Sequence, residues 1–139
     1  MADKLLETAR RFAAALDCGD YAGIRAELAD DCVYVISDAT TVIGADAILA
    51  AVQARAAASR HRWDEIDHGS HVERTGVSSV LVHFTDRVRH RRAWHEYRYR
   101  QYLQIGESGR IESILLEELP GEREGLRTFA NDRGIPFTG

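Results

Sequence analysis

The chain is poor in the residues that most often announce a special fold or chemistry. It has two cysteines, Cys18 and Cys32, and two prolines. The cysteines form no Cys-x-x-Cys and follow no secretory leader, so they offer neither a disulfide framework nor a thiolate metal site. Free thiols buried as small hydrophobes are expected instead. No apolar run approaches the roughly 18 residues of a membrane span. No membrane contact is expected, and the cytoplasm is the expected compartment. Positive charge is not in surplus: 18 Lys and Arg face 22 Asp and Glu, for a net charge of −4. That balance argues against a general nucleic-acid binder. A glycine-rich phosphate loop and a nucleophile elbow are also missing. His68 and His71 stand in "DHGSH" without a metal-ligand spacing around them. No metal and no cofactor is expected.

What remains is an ordinary globular composition, 45% hydrophobic and 29% charged over 139 residues. This length suits one domain, 1–139, able to bury about 68–70% of its unfolded surface without staples. The first half has helical period. Leu5, Leu6, Ala9, Phe12, Ala13 and Leu16 predict a helix from Lys4 to Leu16, with Asp3 as its cap and Asp17-Cys18-Gly19 as its stop. A short helix follows over Tyr21–Leu28. "DDCVYVIS" reads as a strand, "DATTVIG" as a turn or short hairpin, and Ala45–Ser59 as an alanine-rich helix.

The second half switches to a period of two. "HRWDEIDHGSHVERTG" is a strand region of open register. "SSVLVHFTDRVRH", "AWHEYRYRQYLQI" and "RIESILLEEL" are strands, the last stopped by Pro120-Gly121. "EREGLRTFANDRG" gives a final helix with Leu126, Phe129 and Ala130 inward and Gly134 at its end. "RVRHRR" reads as a solvated hairpin end, with an anion or partner contact as the alternative. Helices followed by strands on short turns mean α+β, with helices packed on a strongly curved, mostly antiparallel sheet.

The segments "FAAALDCGDYAGIRAELADDCVYV", "VIGADAILAAVQA" and "GRIESILLEEL", in this order, resemble the nuclear-transport-factor-2-like superfamily with its SnoaL-like polyketide cyclases. The resemblance covers most of the chain. It implies a cone-shaped barrel with an internal pocket between the first helix and the bent sheet, and frequent homodimers. Members include isomerases, dehydratases, epoxide hydrolases, cyclases and binding modules, so the fold names a pocket and not a reaction. The catalytic sets of particular members do not map here. Phe12 stands on the first helix where ketosteroid-isomerase-like members carry a Tyr. Their strand Asp meets Val33-Tyr34-Val35-Ile36, with Asp38 beyond. The Asp-Arg-Asp set of epoxide-hydrolase-like members meets Arg98 and Arg100 without an intervening acid. Scytalone-dehydratase-like members use two His, an Asp and two Tyr; those residue types occur here at spacings that do not match.

The strand "AWHEYRYRQYLQI" carries the functional expectation. His95, Tyr97, Tyr99, Gln101, Leu103 and Ile105 share one face. In the preceding strand Val80, Val82, Phe84, Asp86 and Val88 share one. A hairpin turning near His90-Arg91 would oppose Phe84 to Tyr97, Val82 to Tyr99 and Asp86 to His95, apolar face to apolar face. Burying so many polar groups unpaired would cost about 1–3 kcal/mol each. The strand is therefore expected to leave the core and become a pocket wall or an internal network. Directly opposed, Asp86 and His95 would stand about 4.5–5.5 Å apart at Cβ, as a proton-transfer pair or as a structural ion pair.

Tyr34, Tyr97, Tyr99, Gln101, Phe84 and Phe12 would contact a small apolar or aromatic organic ligand, or serve as core, and Trp63 could act as a lid. The expected function is that of a pocket protein acting by proton transfer on a carbonyl or hydroxyl compound, as an isomerase, dehydratase or cyclase. The alternative is a non-catalytic binding module. The outer face, with Trp94, Glu96, Arg98, Arg100 and Tyr102, is expected either to be solvated or to form a homodimer. In the dimer its arginines would reach Glu96, Glu117 or Glu118 across a twofold axis.

Overall fold

The computed structural model describes residues 3–137. Helix α1 (Lys4–Cys18) starts at Asp3, whose carboxylate accepts from the Leu5 and Leu6 amides at 3.0 and 3.3 Å. It stops at Gly19, in the left-handed region at φ 71°. Thr8, Ala9, Phe12, Ala13 and Ala15 are its buried side. α2 (Tyr21–Glu27) is capped by Asp20, which accepts from the Gly23 amide. Strand β1 (Leu28–Ser37) begins earlier than its apolar run suggests, because Leu28 already pairs with Ile111. β2 (Thr40–Ile43) folds back on it. α3 (Ala45–Arg62) continues past Ser59. Arg60, His61 and Arg62 place positive charge at its carbonyl end, and Trp63 caps it.

β3 (Glu65–Arg74), β4 (Ser79–His90), β5 (Ala93–Ile105) and β6 (Ile111–Glu118) follow, and α4 (Glu122–Asp132) completes the chain. The break before α4 is made by Gly121, at φ 80°. The sheet order is β2-β1-β6-β5-β4-β3. Only the β1–β6 pair is parallel, so the expected α+β, mostly antiparallel architecture stands. The expected strong curvature stands as well: the sheet curls into a cone without closing, with β2 and β3 at its edges. A four-residue edge such as β2 offers little ladder for closure.

Two packed clusters fill the concavity. The larger joins α1, α2 and α3 to the sheet through Phe12, Ile24, Leu28, Ile48, Val80, Val82, Leu103 and Ile114. The smaller lies under α4 and holds Trp63, Val88, Tyr97, Leu126 and Ala130. Cys32 is buried, and burial pushes its thiol up to about 11. Cys18 is exposed, against the expectation of two buried thiols, because it sits on the solvent side of the last turn of α1. Among the described residues no helix is long and apolar enough to cross a membrane.

The β4–β5 register differs from the expected one. His90 pairs with Ala93 across a two-residue turn, Arg91-Arg92. Asp86 therefore opposes Tyr97, Phe84 opposes Tyr99, Val82 opposes Gln101, and His95 opposes Val88. The shift is by two residues, so the faces survive and the partners change. Tight hairpin turns need positive φ, usually supplied by Gly or Asn. Here Arg91 takes it, at φ 57°. Contacts beyond the turn hold it there: Asp64 accepts from the Arg91 amide at 2.6 Å, and Arg89 donates to the Arg91 carbonyl at 2.6 Å. Replacing Arg91 by Gly is expected to leave urea stability unchanged or raised. Arg91→Val should lower it by about 1–2 kcal/mol, the cost of a left-handed side-chain-bearing residue.

Candidate functional site

Strand pairing places the polar groups of the concave face in rows. His68, Asp86 and Tyr97 form one row across β3, β4 and β5. Ser70, Phe84, Tyr99 and Glu118 form the next. Val72, Val82, Gln101 and Leu116 form a third. The β3 register, open in the sequence, follows from its own apolar residues: Ile66 and Val72 have one parity, and His68 and Ser70 lie between them on the same side.

Asp86 is thus committed to His68, whose Nδ1 donates to Asp86 Oδ1 at 2.8 Å. That bond fixes the neutral tautomer, leaving Nε2 with an open lone pair. The hydrogen bond to Asp86, first, and its charge raise the imidazole above its ordinary value, against burial; the charges of Asp17 and Asp67 add to this. Beside the pair, Ser70 Oγ donates to Asp17 Oδ2 at 2.7 Å. Burial pushes the Asp17 carboxyl up, while Ser70 and His68 pull it back. Asp17 comes from the end of α1, so the cluster joins three elements.

The phenols stand next to it. Tyr99 stacks on Phe84 with centroids 5.0 Å apart and tilts against Tyr97 at 5.6 Å. Burial pushes Tyr97 up to about 12 and Tyr99 well above the ordinary phenol range. Both therefore remain hydrogen-bond donors at any working pH. Tyr34 is buried on β1 and also raised by burial. It bonds to Gln101 at 3.2 Å. Phe12 and Phe84, each 2% exposed, are walls of the larger cluster.

His95 is the main correction. It is not opposed to Asp86. It lies beneath α4, stacked on Phe129 at 5.1 Å, with its Nε2 buried and unpartnered. The two-residue shift carried it there. Trp63 is also no free lid: it is 6% exposed and packed with Phe129 at 5.7 Å, because α4 folds over it. Sequence reasoning missed His68, Ser70 and Asp17. The parity of Ile66 and Val72 could have found the first two, whereas Asp17 read only as a helix stop.

A groove of about 450 Å³ runs between α1 and β3, lined in part by Asp17, Ser70 and Val72. It gives the cluster an open side. Among the described residues no three His, Cys, Asp or Glu side chains converge to hold a metal ion. On the outer face Arg100 pairs with Glu117 and Arg98 with Glu96, both within the chain. Arg87 stacks over Trp94 at 5.0 Å. The arginines expected to reach across a twofold axis are already paired at home.

No protein-family profile and no curated protein sequence matches the chain. Solved structures do. An NTF2-like protein of unknown function from Burkholderia pseudomallei superposes with a TM-score of 0.70 at 18% identity, covering 91% of this chain and 97% of that one. The fold is that of the nuclear-transport-factor-2-like proteins. A polyketide-cyclase candidate from Xanthomonas campestris superposes with a TM-score of 0.64 at 13% identity, covering 81% and 88%. An LEH-like epoxide hydrolase from M. tuberculosis gives 0.61 at 17%, covering 93% and 96%. At these identities the NTF2-like likeness is one of fold.

The His68–Asp86 pair has a pH signature. A raised imidazole contributes stability in full below its unfolded value, near 6.5, and loses it as pH rises through the folded value. NMR titration of His68 should show the raised value, and Asp86→Asn should lower it. The urea-midpoint advantage of the parent chain over Asp86→Asn should shrink as pH rises through that range. An advantage that grows with pH contradicts the pairing.

Proposed function

We propose that the chain is a small-molecule pocket protein that moves a proton on a mostly apolar carbonyl or hydroxyl compound. The observation that carries this is the His68–Asp86 hydrogen bond on the concave face, beside phenols that burial keeps protonated. His68 Nε2 takes a proton from the carbon next to a carbonyl. The electron pair moves onto the carbonyl oxygen, where Tyr99 or Tyr97 donates a hydrogen bond to the developing charge. Asp86 holds the tautomer and stabilises the imidazolium. Return of the proton to another atom gives isomerisation; where the next carbon carries a hydroxyl, the imidazolium gives that proton to the departing oxygen, water leaves, and the electron pair returns from the enolate oxygen to form the carbon–carbon double bond, which is dehydration. Solved structures of this fold that include a polyketide-cyclase candidate and an epoxide hydrolase support an enzymatic or ligand-binding role in general.

The test is deuterium exchange. A panel of cyclic ketones and hydroxyketones in D₂O, followed by proton NMR, should lose signal next to the carbonyl in the presence of the protein. His68→Asn should slow this by about 10²–10⁴-fold, the usual worth of a positioned base. Exchange that survives His68→Asn removes the assignment. A compound recovered from the purified protein and released unchanged, with no exchange on the panel, favours the binding module instead.

We also propose a homodimer through the outer sheet face. Leu115 is 47% exposed there, in one row with half-buried Tyr102 and Val35. With its arginines paired internally, this face offers an apolar centre inside a charged rim, as interfaces do. Sedimentation at micromolar concentration should give twice the 15.6 kDa chain mass, and Leu115→Arg should give the monomer. A parent chain that sediments as a monomer refutes the dimer.

A further inference from the structure

Proton transfer at His68 fixes one end of a ligand and leaves the other end open. The third row of the concave face holds a pair of polar groups that the proton transfer does not use. Gln101 on β5 is 6% exposed, and Tyr34 on β1 is 4% exposed. Gln101 Nε2 donates to the Tyr34 oxygen at 3.2 Å. Gln101 Oε1 is buried without a partner. Its neighbours on the same face of the sheet are Val82 and Leu116, directly opposed, and Tyr99 and Leu103, two positions along β5. Val82, Leu103 and Leu116 have no side-chain donor, and Tyr99 makes no hydrogen bond to the amide. A buried acceptor left unmet is costly, and folded proteins keep few of them.

The pair as a whole has a definite complement. The Tyr34 oxygen accepts from Gln101, so its own proton remains to be given. An open acceptor therefore lies beside an open donor. Turning the amide over would leave the Gln101 NH₂ and a Tyr34 lone pair, again one of each kind. A carboxylate or a ketone only accepts, and an ammonium only donates, so each would meet half of the pair. A hydroxyl does both with one atom. It is also neutral, as burial among Val82, Leu103 and Leu116 requires. Gln101 lies four residues from Tyr97 along β5, about 13 Å at the rise of an extended strand. Tyr97 shares its row with Asp86 and His68. A hydroxyl held by Gln101 therefore stands at the opposite end of the ligand from the carbon that gives its proton to His68.

We propose that Tyr34 and Gln101 form a subsite that selects a neutral hydroxyl at the far end of the ligand. The hydroxyl donates to Gln101 Oε1 and accepts from the Tyr34 hydroxyl. The apolar body lies along the Phe84–Tyr99 stack, and the carbonyl end lies toward His68. This rests on the concave face being the ligand site, and it narrows the ligand to a ring ketone with a hydroxyl at its other end.

The probes are 4-(4-hydroxyphenyl)cyclohexanone and 4-(4-methylphenyl)cyclohexanone, which differ only in a hydroxyl against a methyl of similar size. Calorimetry measures affinity, and the NMR signals of His68 report whether the concave face is occupied. A purely apolar site would favour the methyl probe. The parent chain should instead bind the hydroxyl probe about tenfold or more tighter, because the methyl leaves two buried polar groups unmet. Gln101→Met keeps the length of the side chain and removes its acceptor, and it should abolish or reverse that preference. Gln104→Met, the same change on the exposed face of the same strand, should leave it intact. Circular dichroism checks that both variants are folded. Equal binding of the two probes with His68 shifted means that a held water meets the Gln101 oxygen, and it overturns the subsite while the concave-face reading stands. A preference that survives Gln101→Met also overturns the subsite. Probes that leave His68 undisturbed overturn both.

Discussion

The β4–β5 ladder is the constraint on which the rest of this molecule depends. Twelve residue pairs run from Ser79–Gln104 to His90–Ala93 without interruption. Because side chains alternate, a slip by one residue would turn Val80, Val82 and Phe84 outward and bring charged residues into the core. A slip by two keeps every face and changes every neighbour. Hydrophobic burial therefore cannot choose between such registers, and the choice falls to the turn. Arg91 holds an unfavoured left-handed conformation because Asp64, from the loop before β3, accepts its amide proton. A contact at the rim thus decides which acid meets which base in the interior.

From that register the polar groups separate by environment. His95 moves under α4, where its ring stacks on Phe129 and its Nε2 is buried without a partner. Asp86 moves opposite Tyr97 on one side and His68 on the other, near the groove between α1 and β3. The outer face resolves its charges locally, with Arg98 on Glu96 and Arg100 on Glu117. Exposed pairs of this kind add little stability, but they leave Leu115 and Tyr102 as the uncommitted part of that surface.

The concave face consequently carries an acid–imidazole pair toward β3, with the phenols of Tyr97 and Tyr99 beside it and a Gln101–Tyr34 hydrogen bond toward β1. A proton acceptor at one end and a set of hydrogen-bond donors at the other is the minimum needed to remove a proton from carbon and hold the charge that develops. The fold alone does not demand it, since the same cone serves unrelated reactions and simple binding.

Local patterns in the sequence determined most of the architecture. Apolar residues at helical spacing defined α1, and period-two alternation defined β4 and β5 together with their inward faces. The loop and cap residues Asp3, Gly19 and Pro120-Gly121 set the ends. Tyr97, Tyr99, Gln101 and Asp86 were legible as inward polar residues for the same reason: parity depends only on the strand itself. Partnership was not legible. Whether Asp86 meets His95 or His68 depends on a turn held by Asp64, and on the placement of β3 beside β4. Asp17, at a helix end, reaches the site only because α1 is laid across the sheet. Such contacts join segments distant in the chain, and no local periodicity encodes the distance between them. Tertiary packing decided them, because only there do backbone hydrogen bonds and the curl of the sheet bring separate side chains to bonding distance.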